Sequence, residues 1–279
     1  MARIASQANQ KGGVGKSTST INLARAAQRK GLRVLVYDAD PQGNVTSALA
    51  ANPLERDENG VITQSTVADA LVPQARFSLP MSEVIVPTIY GDGVDLAPAA
   101  IALASVEEML VPAQDRETYL RRTLEPVADQ YDLVLIDCPP SLGLLTINAL
   151  VASHGVLVVS QAHVWSTDGM AELRRTIQLV QDRYNAGLAY LGVLISMWEG
   201  STPDKATKRN KEALADIRTH FPEAPVLDPF IPRRTHIGEA IDEGVPLDQW
   251  RSVPMKVIAE DYSHHVDTIM NSSKEAAHG

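Results

Sequence analysis

The segment from Asn9 to Thr18 contains the clearest chemistry in the chain. It reads Asn-Gln-Lys-Gly-Gly-Val-Gly-Lys-Ser-Thr. Glycines at this density allow successive backbone N–H groups to converge on an anion, and the N-terminus of a following helix adds partial positive charge. Lys16 is placed to reach the β and γ phosphates of a nucleotide, and the Ser17 hydroxyl is placed to ligate Mg²⁺. The alternative is a glycine-rich turn without a ligand.

Two carboxylate motifs are candidates for the rest of the site. Asp40 lies in the string Asp-Ala-Asp-Pro-Gln-Gly-Asn, which follows an apolar run, and Asp137 ends the run Asp-Leu-Val-Leu-Ile-Asp. Carboxylates at the C-terminal ends of parallel strands lie where doubly wound sheets bind ligands. We expect Asp40 to orient the attacking water or a Mg²⁺-bound water, and Asp137 to accept from a Mg²⁺-coordinated water. Either motif would also fit a plain turn or a solvated carboxylate.

Alternating strands and helices are needed to position these motifs. Apolar runs predict buried strands, and apolar residues that recur every three or four positions predict helices. The predicted strands are 4–8, 32–37, 83–86, 94–97, 131–137, 155–160, 188–196 and 226–231. The predicted helices are 20–28, 66–71, 115–128, 147–152, 165–184, 203–220 and 252–270. Helices that follow strands throughout predict an α/β fold, namely a doubly wound, mostly parallel sheet with helices on both faces.

Finer features of some helices are also predicted. Gly31 is expected to end the first helix, and Ser166 or Thr167 is expected to cap the helix that follows 155–160. The last helix is expected to bury one side and to act as a packing helix, with residues 271–279 as a disordered tail. The residues expected on that buried side are Val257, Ile258, Tyr262, Val266 and Ile269.

Composition limits the class of protein. The chain has 279 residues, which we interpret as a single domain spanning 1–279, and a net charge of −9, which argues against coating nucleic acid with the whole surface. Cys138 is the single cysteine, which excludes internal disulfides and suggests a reducing compartment. No signal peptide and no apolar run near 18 residues is seen, so we expect a cytoplasmic protein.

The motifs together resemble the ParA/MinD family of ATPases. Gln10 stands where the standard P-loop has its first glycine, and Lys11 precedes the paired glycines, as in the deviant P-loop of that family. The string that contains Asp40, and the segment Cys-Pro-Pro-Ser-Leu-Gly after Asp137, are similar to those of ParA proteins. The resemblance is tight at these three motifs and looser from Met197 onward. No helix-turn-helix segment precedes the P-loop, so sequence-specific operator binding is not expected.

The resemblance implies ATP and Mg²⁺ as cofactors and a homodimer that forms on ATP binding. Lys11 would then cross the interface to the partner's phosphates. Catalytic roles are expected for Lys11, Lys16 and Asp40, and Mg²⁺ is expected on Ser17 and Asp137. The expected nucleotide contacts are Gly12, Gly13, Val14, Gly15, Lys16, Ser17, Thr18, Pro232 and Arg233.

A basic helix face is the candidate DNA site. In the helix predicted over 203–220, one side carries four basic residues, namely Lys205, Lys208, Arg209 and Lys211. Glu212 and Asp216 fall on the same side, so an ordinary solvated face is an equally good interpretation. ParA relatives commonly have an arginine where this chain has Ser201. Any contact that the family makes through that arginine has no counterpart here.

The leading hypothesis is a slow, partner-stimulated ATPase that dimerises on ATP, binds DNA non-specifically and segregates plasmid or chromosome DNA. A ParB-like centromere-binding protein would be its partner, and the ATP-bound form would associate with the nucleoid. Alternatives are a ParA-like ATPase that positions a protein assembly, a nucleotide-gated scaffold without hydrolysis, and a MinD-type membrane-associated ATPase. The last ranks lowest, because the final helix carries Glu260, Asp261 and Asp267 against Lys256, and anionic lipid would repel it.

Overall fold

A computed structural model describes residues 2–73, 78–162, 167–200 and 207–275. The strands are β1 (Arg3–Ala8), β2 (Val34–Asp38), β3 (Val86–Pro87), β4 (Val94–Ala97), β5 (Leu133–Asp137), β6 (Gly155–Gln161) and β7 (Ala189–Ser196). They form one sheet of seven strands in the order β3-β4-β2-β5-β1-β6-β7. The two-residue β3 pairs antiparallel with β4, and the other pairs are parallel.

Helices connect the strands. They are α1 (Lys16–Arg29), α2 (Asn44–Leu49), α3 (Val67–Leu71), α4 (Met81–Val84), α5 (Ala102–Leu110), α6 (Tyr119–Ala128), α7 (Leu144–Ala152), α8 (Thr167–Arg183), α9 (Lys208–His220), α10 (Thr235–Asp242) and α11 (Val253–Glu275). One apolar core lies between the sheet and α1, α2, α10 and α11. Two others lie between the opposite face and α3 to α9. The predicted doubly wound α/β fold is confirmed.

The order of the strands brings the predicted motifs to one edge of the sheet. β1 lies between β5 and β6, and β2 lies beside β5. In this register Asp38 is opposite Asp137, and Asp137 is opposite Gln7 at the end of β1. The chain that leaves β1 therefore begins beside Asp137, with Asp38 one strand further along the same edge.

The C-terminal helix α11 packs along α1, the helix that follows the P-loop. Ile258, Tyr262, Val266 and Ile269 are buried there, as predicted. At the surface, Arg29 pairs with Glu260 at 2.6 Å and Lys30 pairs with Asp267 at 2.8 Å. Glu260 and Asp267 of α11 thus have basic partners at α1, which agrees with a packing helix. Among the described residues, no helix has both the length and the apolar content that crossing a membrane requires.

Two predicted strands are wrong. Residues 83–86 mostly form the end of the short helix α4, in which Met81 and Val84 are buried three positions apart, and only Val86 joins the sheet. Residues 226–231 lie along β7 but form only a single isolated bridge to it, through Val226. Pro229 lies inside this segment and has no N–H to donate to a ladder.

Other predicted details change at the ends and faces of helices. Val257 was predicted to lie on the buried side of α11, but it is 54% exposed. α11 continues to Glu275, beyond the predicted end at residue 270. The helix predicted from residue 115 has a 3₁₀ turn at Arg116–Thr118 before α6 begins. Three helices, α2, α5 and α10, were not predicted from the sequence.

Candidate functional site

The P-loop connects β1 to α1 and lines a cavity of about 750 Å³. Gly13 and Gly15 have φ angles of 71° and 87°, which side-chain-bearing residues rarely adopt. No side chain caps the start of α1, so its first N–H groups are available to an anion. The loop residues that line the cavity are Gly12, Gly13, Gly15, Lys16, Ser17 and Thr18. The Val14 side chain is buried and does not line it.

Lys16 lies on the inner wall of this cavity, and the residue is only 6% exposed. Burial lowers the pKa of its ammonium group, and the nearby carboxylates of Asp137 and Asp40 partly offset this effect. A buried ammonium group beside N–H groups that point into a cavity binds a phosphate far better than a solvated lysine does, because little water screens the charge.

Two buried carboxylates lie side by side at the ends of β2 and β5. Asp137 accepts hydrogen bonds from Ser17 Oγ at 2.7 Å and from Thr20 Oγ1 at 3.2 Å. Burial, and then repulsion from Asp38, raises the pKa of Asp137 to about 7. Burial likewise raises the pKa of Asp38, against three hydrogen bonds that favour its charged form.

This arrangement fits a hard divalent cation. Ser17 and Asp137 supply adjacent oxygen atoms at the phosphate end of the cavity, and Mg²⁺ prefers oxygen ligands. The two carboxylates form a buried excess of negative charge that a cation would offset. The described residues hold no cluster of three or more histidine, cysteine or acidic side chains that suits a metal ion. A single carboxylate with phosphate oxygens is how proteins usually bind Mg²⁺.

Removing the Asp137 charge should stabilise the cation-free protein at high pH. Its carboxyl has a folded pKa near 7 against an ordinary value of 3.8. The folded state therefore binds more protons than the unfolded chain between those values, and the unfolding free energy falls as pH rises through that window. With chelator present, Asp137→Asn should have a larger free energy of unfolding than wild type at about pH 8, by on the order of 1–2 kcal/mol, and should therefore unfold at a higher temperature. This gain in stability should shrink near pH 5.

Calorimetry at both pH values measures this difference. Asp129→Asn is the control, because Asp129 is exposed at the end of α6. An Asp137→Asn protein that is less stable than wild type at the higher pH would contradict the charge-repulsion argument.

Asp40 follows β2 and lines the same cavity, opposite the P-loop. Its residue is 6% exposed. Its carboxylate accepts from the Gln42 backbone N–H at 3.0 Å, and its own N–H donates to Asp38 at 3.1 Å. The side chain is thus held at the cavity wall, at the position that the sequence suggests for a group that orients water.

Side chains at the ends of β6 and β7 hold the outer side of the P-loop. A loop that turns its N–H groups inward must turn carbonyl groups outward, and these need donors. Gln161 Nε2 donates to Gly13 O at 2.7 Å, and Ser196 Oγ donates to Val14 O at 2.5 Å. Asn9 accepts from Lys11 N at 2.9 Å. No role was predicted for Gln161 or Ser196 from the sequence. Their positions at the C-terminal ends of two neighbouring strands, β6 and β7, are the signal that was available.

Loss of the Ser196 hydroxyl should weaken nucleotide binding. Ser196→Ala leaves the Val14 carbonyl without its donor, and we expect about tenfold weaker binding of both ADP and ATP. Ser196→Thr retains the hydroxyl and should recover most of the affinity. Ser153→Ala is the matched control, since Ser153 is also buried and donates to a backbone carbonyl, but at the opposite end of β6. Titration calorimetry measures the effect, and equal affinities in Ser196→Ala and wild type would contradict it.

A second cavity, of about 290 Å³, adjoins the start of α1. Pro232 and Arg233 line it together with Thr18, Ile237 and Tyr262. Its mostly apolar walls suit a flat ring better than a phosphate. The Arg233 guanidinium pairs with Glu199 at 2.9 Å. The structure therefore places both predicted contact residues one cavity away from the phosphate end.

Of the remaining predicted residues, Lys11, Lys208 and Lys211 lie at the surface. Lys11 is exposed, next to the exposed Gly12 and Gly13. On α9, Lys208 and Lys211 are exposed, and Lys208 lies 3.8 Å from Glu212, which offsets its charge. The residues that the structure describes do not include Lys205, Ser166 or Ser201, or the side chains of Arg209 and Thr167. Cys138 is buried, and burial raises the pKa of its thiol to about 12, so it is not a nucleophile.

Comparison with known proteins identifies relatives over nearly the whole chain. A family model described as an AAA domain matches residues 2–190. The chain is 35% identical over 277 residues to the sporulation initiation inhibitor protein Soj of Bacillus subtilis, with 99% of each chain covered. It is 37% identical over 247 residues to the chromosome partitioning protein ParA of Caulobacter vibrioides, with 88% of this chain and 86% of ParA covered.

A solved structure of a similar protein contains a bound nucleotide and magnesium. The cobyrinic acid a,c-diamide synthase from Mycobacterium smegmatis, with bound ADP and magnesium, is 33% identical and superposes with a TM-score of 0.77. The alignment covers 99% of this chain and 97% of that one. Another structure of that protein contains a bound ATP analogue and magnesium. Similarity of this extent, together with the geometry of the P-loop, means that the chain belongs to the ParA/MinD family of partition ATPases.

Proposed function

We propose that this ATPase dimerises on binding ATP, binds DNA non-specifically and segregates plasmid or chromosome DNA with a ParB-like centromere-binding partner. The observation that carries the proposal is the position of its two loop lysines. Lys16 is buried inside the cavity, whereas Lys11 is exposed on the rim. One lysine can thus serve the protomer's own nucleotide, while the other remains available to a neighbour.

Charge is the reason for such a division. Two triphosphates that face each other across an interface repel strongly unless cations lie between them. In a dimer with facing cavities, Lys11 of each protomer would approach the partner's phosphates. ATP would then join the protomers, and loss of the γ-phosphate would release them.

Hydrolysis requires charge stabilisation and a positioned water. Lys16 and Lys11 neutralise the charge that develops on the transferred phosphoryl group. Ser17 and Asp137 would hold Mg²⁺, which would supply positive charge to the phosphates. Asp40, fixed at the cavity wall, accepts a hydrogen bond from the attacking water and so orients it. We expect slow turnover that a partner protein stimulates.

Molecular mass in solution tests the dimer. Light scattering should give a dimer with ATP and a monomer with ADP or without nucleotide. Asp40→Ala should prolong the ATP dimer, since it blocks turnover. Monomers under all conditions, with Asp40→Ala included, would refute ATP-driven dimerisation.

DNA binding is tested separately. Co-sedimentation with DNA of mixed sequence should require ATP and should weaken steeply with salt, since the contacts would be to phosphates. Lys211→Ala should reduce binding if α9 forms the contact surface. Binding that is the same with ADP would separate DNA contact from the nucleotide state and overturn this part of the proposal.

Two other activities are distinguished by simple measurements. A ParA-like ATPase that positions a protein assembly would have the same site, and a pull-down for a centromere-binding partner separates the two. The name of the M. smegmatis relative indicates chemistry on cobyrinic acid. Phosphate release without cobyrinic acid, and without a rate increase when it is added, would favour the partition function.

A further inference from the structure

Thr46 of α2 lies behind the Asp40 loop and is buried, at 3% exposure. It does not line the phosphate cavity, although its helix neighbours Asn44 and Ser47 do. Its contacts are instead to Asp38, whose carboxylate accepts from the Thr46 N–H at 2.9 Å and from the Thr46 hydroxyl at 2.8 Å. Thr46 therefore supplies two of the donors that hold a carboxylate with no exposure to solvent.

The other oxygen of Asp38 connects this pair to the catalytic loop. Asp38 Oδ1 accepts from the Asp40 N–H at 3.1 Å. Within the loop, the Asp40 carbonyl accepts from Gly43 N at 2.9 Å, and the Asp40 carboxylate accepts from Gln42 N. The hydrogen bond of the Asp40 side chain is to its own loop. The loop is held to the sheet by the Asp38 carboxylate and by the neighbouring Ala39 N–H, which donates to Asp137 O at 2.9 Å.

The Thr46 hydroxyl is both a hydrogen-bond donor and a hydrogen-bond acceptor. While it donates to Asp38, it accepts from Ala99 N at 2.8 Å, in the segment that follows β4. The hydroxyl therefore joins three parts of the fold: the end of β2, the start of α2 and the chain after β4. Removing it would leave the Ala99 N–H without its acceptor and would free Asp38 to rotate about its remaining bonds.

We propose that Thr46 is a positioning residue for ATP hydrolysis, acting through Asp38 to hold Asp40 where it orients the attacking water. This inference rests on the proposed role of Asp40. Because Thr46 does not touch the cavity, its loss should lower the rate of hydrolysis and leave nucleotide affinity nearly intact. A purely structural role would instead lower stability without separating these two quantities.

The test compares Thr46→Val, which has nearly the same shape but no hydroxyl, with Thr46→Ser, which retains it. We expect Thr46→Val to lower kcat about tenfold and to change KM and the Kd for ADP by less than about threefold, as expected when a well-oriented catalytic group is displaced. Thr46→Ser should retain kcat within about threefold, because it keeps both hydroxyl bonds.

Thr88→Val is the matched control. Thr88 is also 3% exposed, donates to Val94 O at 2.8 Å and accepts from Tyr90 N at 3.3 Å. Its partner Val94 is the first residue of β4, whereas Asp38 is the last residue of β2. It should lose stability to a similar degree and retain the wild-type kcat. If Thr46→Val does not fold, Thr46→Cys, a similarly small side chain with only a weak donor, takes its place and should show the same loss of kcat.

Asp40→Ala separates the two possible failures. If Asp40→Ala hydrolyses ATP at the wild-type rate, the proposed role of Asp40 is wrong. If Asp40→Ala loses activity while Thr46→Val or Thr46→Cys retains the wild-type kcat, the role of Asp40 stands and the inference about Thr46 fails. A variant at Thr46 that raises KM and leaves kcat unchanged would also overturn the inference.

Discussion

Replacing Lys16 with alanine should weaken ATP binding by at least about 100-fold and reduce phosphate release to background, because one charge-assisted contact in a water-poor site contributes about 3 kcal/mol. Lys16 is the buried cation of the cavity, and the α1 N-terminus provides only partial charge. The substitution also leaves Asp137 and Asp40 facing an incoming triphosphate without a counterion from the loop. Both effects act in the same direction.

The controls separate lost charge from lost fold. Lys16→Arg retains the positive charge but introduces a larger planar group, so it should fold and bind ATP weakly. Lys30→Ala removes a lysine at the far end of α1, where it pairs with Asp267 at the surface, and should bind ATP as wild type does. Equilibrium binding of a fluorescent ATP analogue and circular dichroism measure the two properties. Wild-type affinity in a folded Lys16→Ala protein would exclude this cavity as the phosphate site.

The parallel core of the sheet follows directly from the residue pattern. β5 is buried at every position, and its unbroken apolar run ending in Asp137 is typical of a strand covered on both faces. Such a run can be recognised as a buried strand without knowing which strands it pairs with. Residues 226–231 have similar apolar content, yet their backbone makes only scattered bonds to β7, from Leu227 N to Val193 O and from Ile231 N to Ile195 O, with Pro229 between them. Apolar content alone does not record that Pro229 has no N–H to donate.

Short helices were harder to predict for a different reason. α5 has Leu103, Val106 and Leu110 buried at spacings of three and four, so its periodicity was present in the sequence. α2 has six residues and follows a turn motif, and a helix of that length depends on packing rather than on propensity. The tertiary structure decides whether such segments become helical.

The residues of the candidate site also fall into two groups, those that the sequence indicates and those that it does not. Residues expected to contact a ligand are constrained in type and spacing, so Lys16, Asp40 and Asp137 could be proposed from the sequence. Residues that hold the backbone are not: Ser196 and Val14 are 182 positions apart, and any donor of the right length would serve. The same applies to Thr46, whose partner Ala99 N is a backbone group with no signature in the sequence.

The dimer proposal predicts its largest effect for substitution of Lys11. Lys11→Ala in the Asp40→Ala background should remain monomeric with ATP under conditions in which Asp40→Ala alone is a dimer. Because Lys11 is exposed on the rim while Lys16 lies inside, ATP binding by the single protomer should weaken by less than about tenfold, the cost of one solvent-exposed ion contact. Loss of the dimer with retained nucleotide binding is the specific signature of a lysine that acts across an interface.

Two further variants decide whether charge or shape at this position matters. Lys11→Arg retains the charge on a side chain of similar reach and should recover part of the dimer, whereas Lys11→Gln should not. Lys256→Ala, which removes an exposed lysine from α11, controls for the change in net charge and should dimerise fully. Sedimentation velocity with ATP at low and high salt gives the readout. If Lys11→Ala dimerises as strongly as its parent, the facing triphosphates must be neutralised by another group, and the exposed lysine of the loop has no part in joining the protomers.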